Sequence, residues 1–303
     1  MAAPRNRRQF LKDTLAIPAG AAALNLGWTV TTGCAKPEMS VRSGIKTSCC
    51  AYSYRQLLDL KTGKWTMFDF IDKAVELDFD GVELTSYYFT SFDKPYLHSL
   101  KKACYLKGLD VSGTAIGNNL VQPDKKDRDA EIKKIRDGVD YAVELGAPFV
   151  RVFAGRLPEG YTEDQGMGWL IDGFKEASDY AAKRGVYIGL ENHGGLTSTA
   201  EQVIRIIDGV DNEWFALNLD TGNYRTDPYK EIEQTVSRAV TCHIKLDIPD
   251  PEKDERVDLD VDRLGAILKA AGYRGYVSIE YEIEEDPLVV MPGFLAKLKK
   301  AMA

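Results

Sequence analysis

From residue 44 onward, short β-rich runs and helix-patterned stretches alternate eight times, and that alternation leaves few folds open to the chain. The β-rich runs are 45–51, 81–85, 110–116, 149–154, 186–191, 215–220, 240–245 and 276–281. Between them apolar residues recur at three- and four-residue spacing, as in Met67, Phe68, Phe70, Ile71, Ala74, Val75 and Leu77, or Ile132, Ile135, Val139, Ala142 and Val143. That is the period of an amphipathic helix. Lys107-Gly108, Leu145-Gly146, Arg184-Gly185 and Ala271-Gly272 put glycine where helices stop. Strands that alternate with helices build a parallel sheet. Eight such units in roughly 260 residues match a sheet closed into a (β/α)8 barrel. An open doubly wound sheet normally carries a Gly-rich turn after its first strand, and Ala51-Tyr52-Ser53-Tyr54-Arg55 has no glycine. The predicted fold class is therefore α/β, a single (β/α)8 TIM barrel over 44–303. With 44% hydrophobic residues and no linker or composition shift after residue 44, one core and one domain are expected.

In such a barrel the chemistry sits at the C-terminal ends of the strands. The last four β-rich runs end Leu190-Glu191-Asn192-His193-Gly194-Gly195, Leu219-Asp220-Thr221-Gly222-Asn223, His243-Ile244-Lys245 and Ile279-Glu280-Tyr281-Glu282. Four successive strands thus bring Glu191, Asp220, His243 and Glu280 to one rim. A single acidic residue at a strand end is ordinarily a helix cap or an ion-pair partner. Four on four successive strands are hard to obtain that way. Three carboxylates converging without a counter-charge repel, and a divalent cation removes that cost. Oxygen ligands with one imidazole suit Mn, Mg, Co or Zn. Histidine is scarce: only His98, His193 and His243 occur, and two of the three fall at the rim. Period-two alternation puts Glu282 on the same face as Glu280, so the last ligand stays open between them.

These four strand ends, with Tyr276-Val277-Ser278 leading the last one, resemble the sugar phosphate isomerase/epimerase family with the xylose isomerase-like barrel. That family includes the tagatose/psicose 3-epimerases and inosose dehydratase, and the resemblance covers 44–303. It implies a divalent metal held by Glu191, Asp220, His243 and Glu280, with Glu280 favoured by position over Glu282. It further implies that Glu191 and Glu280 are the catalytic acid/base pair. They would move a proton next to the carbonyl of a sugar from opposite faces. Return of the proton to the opposite face gives epimerisation, return to the neighbouring carbon isomerisation, and loss of a β-substituent elimination. Substrate-binding candidates are His193, Asn223, Lys245, Arg151 and Glu83. Asn223 departs from the family, which often has a substrate-binding His there. Lys245 is read either as offsetting an anionic intermediate or as salt-bridged to Asp247 or Asp220. Arg151, Phe153 and Glu83 are expected as pocket walls. Tyr52, Tyr54, Tyr87, Tyr88 and Phe89 are read either as a sugar-stacking cluster or as packing.

The N-terminus reads as an address. Arg5, Arg7 and Arg8 precede Gln9-Phe10-Leu11-Lys12 and a mostly apolar run at 15–30, which includes Pro18, Gly20 and Asn25. The run is shorter than the roughly 20 apolar residues of a membrane span. Residues 1–40 therefore resemble a twin-arginine-like signal peptide followed by a short linker, and the expected location is the periplasm. Thr31-Thr32-Gly33-Cys34 resembles a lipobox, with Thr31 where that motif prefers Leu, so a lipid anchor at Cys34 stays open. Cleavage before Cys34 would remove four basic residues and one acidic one, taking the formal charge from −7 to −10. Cys49-Cys50 are expected as two packed thiols, since strand neighbours point to opposite faces.

Location and charge narrow the function. With 46 acidic against 39 basic residues, the chain lacks the basic face that nucleic acid needs. An endonuclease IV-like nuclease would share the barrel, but it needs more His ligands than this rim has. An exported enzyme meets unphosphorylated sugars, and no Gly-rich phosphate cradle is present. The leading expectation is a divalent-metal-dependent isomerase/epimerase acting on an unphosphorylated sugar or sugar derivative. The alternatives are a metal-dependent lyase/hydratase on 3-keto-glycosides in the periplasm, and a non-catalytic carbohydrate-binding protein. Relatives dimerise or tetramerise, which implies a homo-oligomer that no patch in this sequence marks. Changing Arg7 and Arg8 to Lys is expected to trap the precursor in the cytoplasm. Normal periplasmic recovery on cell fractionation would reject the twin-arginine route.

Overall fold

The computed structural model describes residues 44–303; the stretch read as an export signal and Cys34 lie outside the described residues. Eight strands close into a parallel barrel in the cyclic order β1 (Lys46–Cys50), β10 (Tyr276–Ile279), β7 (Ala239–Ile244), β6 (Phe215–Asp220), β5 (Tyr187–Glu191), β4 (Phe149–Val152), β3 (Asp110–Ala115) and β2 (Gly81–Thr85). Seven fall within the β-rich runs, and β7 starts one residue before its run. The expected (β/α)8 barrel is the observed one.

The helices form where the apolar period and the caps agree. A one-turn helix α1 (Arg55–Leu58) follows β1. The outer ring is then α2 (Met67–Glu76), α3 (Lys94–Leu106), α4 (Lys125–Leu145), α5 (Glu163–Ala182), α6 (Ala200–Val210), α7 (Pro228–Thr235), α8 (Val261–Ala270) and α9 (Pro287–Met302). Thr66 with Asp69, Thr162 with Gln165 and Thr199 with Gln202 make reciprocal capping boxes at three N-termini. In α4 the residues Ile132, Ile135, Val139 and Ala142 are buried, so the three- and four-residue spacing is the core-facing stripe. Gly108, Gly146, Gly185 and Gly272 all take positive φ at helix ends, the conformation a Cβ disfavours. Among the described residues no helix is long and apolar enough to cross a membrane.

One feature was not anticipated. Between β7 and α8 the chain inserts a short antiparallel hairpin, β8 (Asp247–Pro249) paired with β9 (Arg256–Asp258). Its strands are three residues long and rich in charge, too short to print an apolar period on the sequence.

Inside the barrel the Phe149 ring occupies the space that Gly113 and Gly189 leave. A Cβ built on Gly113 would lie 2.2 Å from that ring, and one on Gly189 3.3 Å. Phe149 therefore floors the cup whose rim carries the polar strand ends. The bulges between Val82 and Glu83 and between Leu217 and Asn218 shift the register of two rim strands. Cys49 packs outward in the apolar core and Cys50 points inward beside Glu83. Both are free thiols, as the alternation required. Gly113→Ala is expected to cost about 1–3 kcal/mol through overpacking against Phe149. Chemical denaturation should show it as a lowered midpoint, and an unchanged midpoint would mean the ring has room to move.

Candidate metal centre at the barrel mouth

The centre is built around His243. Strand β7 carries it fully buried into the barrel, with Nε2 2.8 Å from Glu83 Oε2 across the cup. A carboxylate can only accept, so Nε2–H donates to Glu83 and the Nδ1 lone pair is left for another partner. Nδ1 is buried with no hydrogen-bond partner. It lies 3.4 Å from Glu280 Oε2 and 3.7 Å from Glu191 Oε2.

Asp220 is held through its own backbone groups and one carboxylate oxygen. Its own N–H donates to Asn192 Oδ1 at 2.7 Å, and Asn192 Nδ2 donates back to its carbonyl at 2.9 Å. Gly222 N–H then donates to Asp220 Oδ1 at 2.8 Å. That leaves Oδ2 buried and without a hydrogen bond, turned toward His243 and Glu280. Ligand atoms of Asp220, His243 and Glu280 lie within 4.8 Å of one another.

The four buried carboxylates Glu83, Glu191, Asp220 and Glu280 face only two buried cations, Arg151 and Lys245. Arg151 Nε stands 3.2 Å from Glu191 Oε2, while its Nη1 donates to Tyr87 Oη at 3.2 Å and to the Ile116 carbonyl at 3.3 Å. Lys245 Nζ reaches Glu280 at 2.6 Å, Glu282 at 2.7 Å and Asp220 at 3.3 Å. Only Gly222 permits this approach, since a Cβ there would fall 2.5 Å from Lys245 Cγ. Burial pushes Asp220 up to about 7 and raises Glu191 as well, even against Arg151. Glu280 is desolvated too, yet Lys245 and His243 hold it well below the usual carboxylate range. Desolvation opposes a charge on His243, but Glu83 and Glu280 raise it well above an ordinary imidazole. A divalent cation would cancel the two-charge excess with His243 neutral. It would also satisfy the orphaned Nδ1 and share Asp220 Oδ2 with Lys245. The donor set fits a metal.

The structure brings Glu191, Asp220, His243 and Glu280 together and separates the two candidates of strand β10. Glu280 is buried in the cluster, whereas the Glu282 side chain is 43% exposed and meets it only through Lys245. Glu83, expected as a wall of the substrate pocket, bonds the His243 imidazole. It is fully buried behind His243 and fixes the imidazole. The ion pairs of Lys245 include Asp220 but not Asp247, which pairs with Arg256. Asn223 is half-buried, its amide 3.5 Å from Glu191 Oε1. His193 is largely exposed, 4.0 Å from the same oxygen. His98 lies away from the rim on α3, paired with Glu144. The first-loop aromatics divide: Tyr54, Tyr88 and Phe89 are buried packing, and Tyr87 alone contacts Arg151. Sequence reasoning missed Asn192, Asn218 and Cys50. Asn218 donates to Glu191 at 3.4 Å, and the Cys50 thiol lies 3.7 Å from both Glu83 and Glu280. Their only signal was inward parity on strands one and six and adjacency to Glu191.

A proton and a metal compete for Nδ1 of His243, whose neighbours favour its protonated form, so loading should release protons and weaken as pH falls. Calorimetric titration with Mn, Co, Zn and Mg is expected to find about one metal per chain, lost in His243→Ala. Glu83→Gln, which keeps the shape but loosens the imidazole, should cost roughly 10–100-fold in affinity. Undiminished binding in His243→Ala would place the metal elsewhere.

Comparison with known proteins follows this geometry. The profile of the family described as xylose isomerase-like TIM barrel matches residues 71–298. The chain is 24% identical over 230 residues to an inosose dehydratase of Geobacillus thermodenitrificans (strain NG80-2), covering 64% of this chain and 75% of that one. Among solved structures it is similar to D-psicose 3-epimerase with D-tagatose from Clostridium cellulolyticum H10. That match has a TM-score of 0.67 and 17% identity, over 85% of this chain and 95% of the other. It is also similar to the IolI protein with a bound zinc atom, at a TM-score of 0.65 and 20% identity, over 84% and 96% of the two chains. Identities this low make the structural likeness one of fold. The family match spans most of the barrel, and the chain belongs to the xylose isomerase-like TIM barrel family.

Proposed function

We propose that this chain is a divalent-metal-dependent isomerase/epimerase that moves a proton next to the carbonyl of an unphosphorylated sugar or sugar derivative. The observation that carries the reading is the pair Glu191 and Glu280, which flank the orphaned His243 Nδ1, each with its own buried cation. The family relatives, an inosose dehydratase and a sugar epimerase, support an enzyme of this class.

When bound by Glu191, Asp220, His243 and Glu280, a divalent metal would polarise a carbonyl oxygen and acidify the neighbouring C–H. Glu191, raised by burial, is the stronger base of the two and takes the proton. Arg151 cannot exchange a proton, so it only steadies the carboxylate's charge. Strand order places β6 and β7 between β5 and β10, which sets Glu191 and Glu280 on different sides of the mouth. On the other side the Lys245 ammonium, 2.6 Å from Glu280, supplies the proton that Glu280 relays to the carbon, and exchange of Glu191–H and Lys245 with water restores both groups. Asn223 and His193, near the outer oxygen of Glu191, meet substrate hydroxyls. Export through the twin-arginine-like signal is part of the proposal, and it favours substrates without phosphate.

A lyase or hydratase acting on 3-keto-glycosides is the second reading, favoured by the dehydratase relative. Both begin with abstraction of the same kind of proton and differ in where the electrons go. Incubating the metal-loaded chain in D₂O with D-tagatose, D-fructose and 3-keto-glucosides, followed by NMR, tests both. Deuterium should enter beside the carbonyl, with an epimer as product in the first case and a released substituent in the second. Glu191→Gln is expected to slow exchange by roughly 10²–10⁴-fold with sugar affinity spared. Undiminished exchange in that variant would reject its role as base. Binding without exchange by the unaltered protein would make it a carbohydrate-binding protein.

A further inference from the structure

Beside the carboxylate cluster, the loops that follow β3, β4 and β5 line an open cleft of about 410 Å³. That lies within the roughly 300–1,000 Å³ of small-molecule sites. Its walls are built. The Asn118 amide holds both backbone groups of Phe153, accepting from its N–H at 2.8 Å and donating to its carbonyl at 2.7 Å. The Thr197 hydroxyl accepts from His193 N–H at 3.0 Å and donates to the Gly194 carbonyl at 2.9 Å, which fixes the turn bearing His193. Side chains are excluded where the loops approach. Gly155 has φ +104° and a Cβ there would lie 1.9 Å from Asn119 Oδ1, while Gly194 and Gly195 take φ +83° and +57°.

The chemistry of the lining is that of a sugar ring's partner. It contains an aromatic ring, Phe153, backed on one side by Arg151 at 4.0 Å and met by the His193 ring at 4.6 Å between centroids. It contains donors but no carboxylate. Arg156 is exposed at this cavity, and among the described residues no carboxylate pairs with its guanidinium, so its donors are open to a ligand there. An apolar face with free donors around it suits a neutral, hydroxyl-rich ring and repels no part of it. His193 joins the two sites, since its Nε2 is 4.0 Å from Glu191 Oε1 while its ring lines the cavity.

We propose that this cavity is a subsite for a second ring. The substrate is then of glycoside or disaccharide size, with one ring at the carboxylates and the other against Phe153 and Arg156. The inference rests on the metal-dependent sugar reading above. It is tested by calorimetry on the metal-loaded chain with methyl glucoside, D-tagatose and a set of disaccharides (sucrose, trehalose, maltose, cellobiose and lactose). At least one disaccharide is expected to bind about tenfold or more tightly than the monosaccharides. Arg156→Ala should remove about that factor, the loss of one charge-assisted hydrogen bond, and leave the monosaccharides unchanged, with partial rescue by Arg156→Lys. No disaccharide advantage, with monosaccharides still binding, overturns the subsite alone. Equal weakening of both sizes by Arg156→Ala overturns it too, as does displacement of the disaccharide by inorganic phosphate, which would make the cavity an anion site. Failure of every sugar to bind the loaded chain removes the sugar reading and the subsite together.

Discussion

Too much negative charge is buried at one end of the barrel, and the arrangement of the mouth answers that constraint. Four carboxylates sit behind the rim with only Arg151 and Lys245 to balance them. Buried like charges are tolerable only where a cation stands between them or a proton neutralises one. Each neighbouring device makes sense in those terms. Glu83 turns the imidazole so that a lone pair faces the cluster, and Asn192 and Gly222 hold Asp220 by its backbone and one oxygen. The missing Cβ of Gly222 lets Lys245 in. The centre is assembled to receive positive charge, and its stability without it is spent on protons.

The two glutamates are alike in sequence position and unlike in surroundings. Glu191 faces a guanidinium that never releases a proton, and Glu280 faces an ammonium that shares three carboxylates. One is raised by burial and the other held low by its cations. The proposed transfer, with a proton taken on one side and delivered on the other, needs such a difference, because two identical carboxylates would compete for the same task. Below the polar rim the barrel interior is filled by Phe149, which the missing side chains of Gly113 and Gly189 admit.

Much of this was legible in the chain itself. The eight β-rich runs, the glycines that end the helices and the inward parity of Glu191, Asp220, His243 and Glu280 are local properties, set by side-chain direction and backbone sterics within a few residues. The hairpin at 247–258 was not legible, because strands only three residues long carry no period. Glu83 was read as a wall of the substrate pocket. It proved to be the partner of a histidine 160 positions away, a contact that no spacing along the chain encodes.

What the sequence determined by itself is the fold and the set of groups delivered to one rim, since both follow from periodicity and from the ends of apolar strands. Which of those groups touch was decided only by the closed barrel. Glu280 and Glu282 share a face, yet the strand ends at Ile279, so one carboxylate is drawn into the cup and the other is left at its lip. Lys245 had Asp220 and Asp247 within plausible reach, and Arg256 of the hairpin took Asp247. The second cavity likewise exists only because three loops far apart in sequence meet over glycines. Such choices depend on the radius at which eight strands close and on which rotamers fit inside it, and neither is written in any single segment.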